Sequence, residues 1–131
     1  MAQSLQDSGV ELVIMETNAN VKKVAREMNT CEVPIHGIIA NFKVKESVTA
    51  TFCEAMEIPE DLDILVNNTR MQTRHFCLGF PLDGWETVHK VNLTSVFILS
   101  KLAGEVMLAK GYGKIINIAS LRLEYILSVY A

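Results

Sequence analysis

Cysteine, proline and aromatic residues are scarce in this sequence, and charge of either sign is never concentrated. Cys31, Cys53 and Cys77 stand far apart. Their odd number and lack of CxxC spacing argue against a disulfide framework or a zinc site, so no metal centre is expected. The three thiols read as small buried or half-buried side chains. Lysine and arginine number 12 against 15 acidic residues, a formal net charge of −3. No basic stripe marks a nucleic-acid partner. No run approaches the roughly 18 apolar residues needed to span a bilayer, so no membrane association is expected. The opening "MAQSLQDSGVELVIM" lacks the basic start and apolar core of a signal peptide. The sequons at Asn67 and Asn92 are then chance matches, and the expectation is a cytoplasmic protein.

What is present is a core. Hydrophobic residues make up 50% of 131 positions and charged residues 21%, which suits one folded domain over residues 1–131. The pattern alternates between two periods. Residues 1–8 read as the end of a helix stopped by Gly9. Residues 10–15 are a strand. Asn18 is placed to cap a helix to Met28 with Val21, Val24, Ala25 and Met28 on one face. Residues 34–40 form a second strand and 45–56 a helix with Val48, Phe52 and Ala55 inward. Residues 62–68 form a third strand. A turn-rich passage leads to Gly84, a long helix runs from Trp85 to Ala109, and 114–119 form a fourth strand. Strands alternating with helices imply right-handed crossovers and a parallel sheet covered on both faces.

Ligands of an open α/β sheet bind beyond the carboxyl ends of the strands, so the strand-ending residues are the candidates. Glu16 ends the first strand. A carboxylate there accepts hydrogen bonds from a ribose diol and repels a 2′-phosphate, favouring NAD over NADP. Asn41 follows the second strand, and Asn67 and Asn68 end the third. Asn41 lies where an adenine edge could be read, and the Asn67-Asn68 amides can reach a nucleotide or simply form a turn. Asn92 sits inside the long helix, where its amide competes for backbone groups and can bend the helix. Ser120 follows the fourth strand, with Tyr125 and Tyr130 beyond it. A serine can hold a substrate oxygen while a tyrosine exchanges its proton. That tyrosine needs a nearby cation to act near neutral pH.

These segments resemble the short-chain dehydrogenase/reductase family. "LDILVNN" is similar to its strand-ending N-N-A-G segment, "GWETVHKVNLTSVF" to its central helix, and "GKIINIAS" to its serine-bearing strand. "NNTRMQTRH" and "GKIINIASL" look most like the branch of 2-deoxy-gluconate and gluconate dehydrogenases. The resemblance implies a partial Rossmann-type doubly wound α/β fold, NAD or NADP, and hydride transfer at an alcohol or carbonyl of a sugar acid or polyol. It matches Asn92, Ser120 and Tyr130 to the catalytic asparagine, serine and tyrosine, and Glu16 to the cofactor-selecting acid. Glu16, Asn41, Asn67 and Asn68 form the expected cofactor-binding set.

The same resemblance defines the departures. The family's first strand and T-G-x-x-x-G-x-G loop have no counterpart, N-N-A-G becomes Asn67-Asn68-Thr69-Arg70, and no lysine follows Tyr130 in a Y-x-x-x-K motif. In the family the first strand lies mid-sheet, so its loss leaves the strands at 10–15 and 62–68 with unpaired facing edges. Besides an oxidoreductase acting on a small alcohol or ketone, two readings therefore stand. One is a catalytically inactive truncated fragment. The other is a protein that borrows a strand, forming homo- or hetero-oligomers with full-length relatives.

Overall fold

The computed structural model describes residues 2–29, 33–59 and 61–119. It begins with helix α1 (Ala2–Gln6), stopped where Gly9 takes a φ of 80°. Strand β1 (Leu12–Glu16) leads to helix α2 (Val21–Met28), and strand β2 (Ile35–Ile39) to helix α3 (Lys45–Met56). Strand β3 (Ile64–Asn67) is followed by a short 3-10 turn, Cys77–Gly79. The next helical stretch has three parts. Helix α4 (Leu82–His89) passes through a π-helical turn, Lys90–Thr94, into helix α5 (Ser95–Lys110), and strand β4 (Lys114–Asn117) ends the described order.

Most elements fall where periodicity puts them. Helix α3 buries Val48, Phe52 and Ala55 as its spacing dictates. In α2, Val21 and Ala25 are buried, but Val24 is exposed, so the apolar face is narrower than its spacing implied. Asn18 acts before the helix: its Oδ1 accepts from Asn20 N–H at 2.9 Å, and Asn20 is the cap. The long helix starts at Leu82, three residues before Trp85, because Pro81 in an extended conformation makes a natural N-cap boundary. Cys53 is exposed on α3, contrary to the expectation of a buried thiol. The stretch Leu82–Lys110 is, by length and composition, apolar enough to cross a membrane, which corrects the expectation that no such run exists. Leu99, Ala103 and Met107 on that stretch pack into the core with Phe52 of α3, as a core helix also does.

The strands do not form one sheet. β1 pairs in parallel with β2, from Leu12 opposite Ile35 to Glu16 opposite Ile39. β3 pairs in parallel with β4, from Ile64 opposite Lys114 to Asn67 opposite Asn117. The two pairs are separate sheets. Nor are all strands doubly buried: every residue of β4 is exposed, Ile115 and Ile116 at 40% and 43%.

Side-chain faces fix how the sheets are ordered. Gly37 lies against α2 so closely that a Cβ there would stand 2.6 Å from the Val21 carbonyl oxygen. Ile14 pairs with Gly37 and shares that face. Met15, one residue on, points the other way and packs against the cluster containing Val48 and Phe52 of α3. Helices α2 and α3 therefore cover opposite faces. With right-handed crossovers, a change of face means a reversal of direction. Applied to the family-type sheet, that rule orders the strands β2, β1, β3, β4; here the two pairs are separate sheets. Leu65 of β3 and Leu99 of α5 belong to the same cluster, so one α3–α5 layer underlies both sheets.

An ion-pair clamp closes the amino end of β3. Lys110 Nζ lies 2.6 Å from both Asp61 Oδ2 and Asp63 Oδ1 and 5.9 Å from the Tyr112 ring centroid. A cation in the last turn of α5 also offsets the partial negative charge of the helix end.

Two tests follow from this packing. Gly37→Ala forces α2 off β2 and should cost about 1–3 kcal/mol. A urea titration reads this as a lower midpoint at unchanged slope, and an unchanged midpoint contradicts the close packing. The second test concerns pH. The hydrogen bond from Lys110, then that from Leu62 N–H, holds the Asp61 carboxyl below its ordinary value, while Asp61 and then Asp63 raise the Lys110 ammonium. A depressed carboxyl contributes stability above its unfolded value, about 4, and loses it as pH falls through the folded value. The raised ammonium contributes below its unfolded value, about 10.4, and loses that as pH rises through the folded value. Lys110→Gln should therefore flatten the loss of thermal midpoint below about pH 4. Parallel acid limbs for the two proteins would contradict the clamp.

Candidate functional site

Ligands of an open α/β sheet bind beyond the carboxyl ends of the strands, and the candidate residues stand at or just past those ends. Glu16 closes β1 and is exposed. One carboxylate oxygen accepts from Thr17 N–H at 2.8 Å.

Asn67 is 4% exposed. Its Nδ2 donates to Asn117 Oδ1 at 2.8 Å and to Ser100 Oγ at 3.1 Å. Buried amides must be paired, and this one is paired within the protein. It ties β3 to the end of β4 and to helix α5. Asn117 and Ser100 are partners that the strand-end reading passed over. The signal was available, since "DILVN" and "KIIN" both end in asparagine at matched register.

Asn68 is exposed, beside half-buried Thr69 and exposed Arg70, whose Nη2 reaches Gln72 Oε1 at 3.3 Å. Asn41 Oδ1 accepts from Lys43 N–H at 3.1 Å, while its backbone N–H donates to Ser47 Oγ at 3.2 Å. That amide is engaged in its own turn.

Asn92 lies in the π-helical turn. Its Nδ2 donates to Met71 O at 2.8 Å and its Oδ1 accepts from Met71 N–H at 2.7 Å. One side chain thus pairs with one residue's whole peptide edge. Extra residues in a helix turn are a recognised cause of a change in helix direction. The asparagine expected to bend the helix sits in that turn, and its amide fastens the loop after β3. Ser95 Oγ, 1% exposed, donates to Val91 O at 2.6 Å and stabilises the carbonyls of the same turn. Farther along the loop, His75, Phe80 and Trp85 meet edge to face, at 5.3 and 6.5 Å, and Trp85 contacts His89 at 4.2 Å. These rings hold the loop to α4.

Ser120, Tyr125 and Tyr130 lie outside the described residues. Of the candidates, Glu16 and Asn68 offer exposed polar groups suited to a nucleotide. Asn67, Asn41 and Asn92 spend their amides on the fold around it. Among the described residues, no glycine-rich turn joins a strand to a helix to hold a pyrophosphate.

The chain spans about half the length of the curated relatives it matches. Over 122 residues it is 34% identical to the 3-oxoacyl-acyl-carrier-protein reductase FabG of Aquifex aeolicus, covering 92% of this chain and 49% of that protein. Over 60 residues it is 55% identical to 2-dehydro-3-deoxy-D-gluconate 5-dehydrogenase of Bacillus subtilis, covering 46% of this chain and 24% of the other. It also superposes on a proposed NAD(P)-dependent gluconate 5-dehydrogenase of Beutenbergia cavernae, crystallised with NADP at low occupancy, with a TM-score of 0.83 and 28% identity over 92% of this chain and 48% of that one. The family model for short chain dehydrogenase matches residues 1–130, and this chain belongs to that family of NAD(P)-dependent, Rossmann-fold oxidoreductases.

Proposed function

We propose that these residues serve hydride transfer between NAD(P) and an alcohol or carbonyl of a sugar acid or polyol. The observation that carries the reading is the pair of amide ties at the carboxyl end of β3. Asn67 fixes that end to Asn117 and Ser100, and Asn92 fixes the following loop through both backbone groups of Met71. Together they hold rigid the rim where a nicotinamide and a substrate meet. The 55% identity to a dehydrogenase of a deoxygluconate supports the sugar-acid class.

The roles divide as follows. Glu16 accepts from the adenosine ribose diol and disfavours a 2′-phosphate, which leans the site towards NAD. Asn68, exposed after β3, offers a second polar group to the cofactor. Ser120 orients the substrate oxygen and Tyr130 exchanges its proton, once a cation lowers the tyrosine pKa. The bound nicotinamide supplies or accepts the hydride.

Titrating the 131-residue chain with NADH and with NADPH, followed by nicotinamide fluorescence, tests the cofactor reading. Saturation in the micromolar range, tighter for NADH, is expected. No saturation by folded protein up to millimolar concentration removes the stand-alone enzyme and leaves the inactive-fragment and strand-borrowing readings. Asn92→Ala tests the positioning role separately. Two lost hydrogen bonds at about 0.5–1.5 kcal/mol each should lower stability modestly and speed amide exchange at Met71 and its loop neighbours. Exchange unchanged at Met71 would show that the tie does not hold the loop.

A further inference from the structure

After Asn67 the chain takes neither helix nor strand over residues 68–76. Its exposure alternates all the same. Asn68, Arg70, Gln72 and Arg74 are exposed, and Thr69, Met71 and Thr73 between them are half-buried. A period of two marks an extended run with two faces. The inner face is accounted for. Met71 packs against the core cluster, and a Cβ at Gly84 of α4 would stand 3.8 Å from the Thr73 methyl. Three ties hold the run in place. Asn67 fixes its start, Asn92 bonds both backbone groups of Met71, and His75 meets the Phe80 ring at its end. The outer face is a row of hydrogen-bond donors. An arginine carries its N–H groups in a planar fork, while asparagine and glutamine amides both donate and accept. Arg70 Nη2 donates to Gln72 Oε1 at 3.3 Å, so the glutamine orients the guanidinium and leaves most of its donors available. Among the described residues, no carboxylate pairs with Arg70 or Arg74.

We propose that Arg70, oriented by Gln72, binds the carboxylate of a sugar-acid substrate, with the Asn68 and Gln72 amides meeting its hydroxyls. The inference rests on the oxidoreductase reading and names what would make that site choose an acid over a neutral polyol. The chemistry favours a carboxylate. A guanidinium fork matches its planar pair of oxygens with two parallel bonds, which a lysine ammonium cannot do. The flanking amides suit hydroxyls, which also donate and accept. Placement favours the substrate over the adenosine end of a cofactor. Arg70 directly precedes Met71, the residue held by Asn92, which the resemblance matches to the catalytic asparagine. Glu16, assigned to the ribose, closes a strand of the other parallel pair. The fork is also particular to this chain, since Arg70 stands where the N-N-A-G segment of the family has glycine.

The test uses the whole chain, isotope-labelled so that the arginine Nε–H resonances are seen by NMR. D-gluconate, its uncharged counterpart sorbitol, and inorganic phosphate are titrated in turn, each with and without NADH. Gluconate should move the Arg70 resonance saturably, and sorbitol should leave it in place. Arg70→Gln, read at the amides of Asn68 and Gln72, should weaken gluconate binding at least about tenfold. Arg70→Lys keeps the charge without the fork and should not restore the parent affinity. Amide exchange at Met71 should be the same in both variants as in the parent. Faster exchange there would mark a structural role for Arg70 and overturn the proposal. It fails as well if sorbitol binds as tightly as gluconate, if phosphate moves Arg70 as strongly, if either variant binds gluconate like the parent, or if gluconate never saturates. Saturable NADH binding with no gluconate response overturns this site and leaves the cofactor reading standing. Gluconate bound at Arg70 by a chain that does not bind NADH keeps the acid site and removes the stand-alone enzyme.

Discussion

Everything in this molecule that bears on chemistry follows from α2 and α3 covering opposite faces. Gly37 permits the first contact by presenting bare backbone to the Val21 carbonyl. Met15 and Phe52 make the second on the far side. Right-handed crossovers then leave one choice in a family-type sheet: the chain passes β1 on its way back and lays β3 beyond it. Glu16 and Asn67 close β1 and β3, and Asn68 follows β3, so each stands at the carboxyl end of its own parallel pair.

Burial then sorts the residues at the strand ends. An amide removed from water must keep its hydrogen bonds or lose about 1–3 kcal/mol. Asn67 is deep enough that this requirement dictates its partners, Asn117 and Ser100, and leaves its Nδ2 committed to the protein. Asn92 is exposed, so no such penalty compels its two bonds to Met71. They form because the π-helical turn aims the side chain at a loop whose peptide edge is otherwise unpaired. Glu16 is exposed, and its carboxylate accepts a local bond from Thr17 N–H.

The sequence made some of this legible and not the rest, for physical reasons. Helix α3 is bounded to the residue because its own period and Pro59 decide it. Strand-ending polar residues were readable because topology, not packing detail, sends them to one edge. The division of labour among the asparagines was not readable. A buried amide paired within the protein and an exposed one are the same letter, and only the neighbours distinguish them. The π-helical turn was foreshadowed by Asn92 but not its extent, since an extra residue per turn leaves no signature in an apolar run. β4 reads as a buried strand and is exposed because periodicity records which face is apolar, not what lies against it.

The cations reveal how the two ends of the sheet differ. Lys110 is bound to Asp61 and Asp63 before β3, and Lys114 opens β4, so both lie at the amino ends of the strands. A residue rises about 3.3 Å along a strand, so Lys114 is separated from the end of β4 by roughly 10 Å. Neither lysine stands at the carboxyl ends, where Glu16 and Asn67 close their strands. Lys101 is directed elsewhere too, lying 4.0 Å from Glu105 on the exposed side of α5. Within the described residues, a stabilising clamp therefore stands at the amino end of β3, while the strand-ending Glu16 and Asn67 stand at the carboxyl ends, away from these cations.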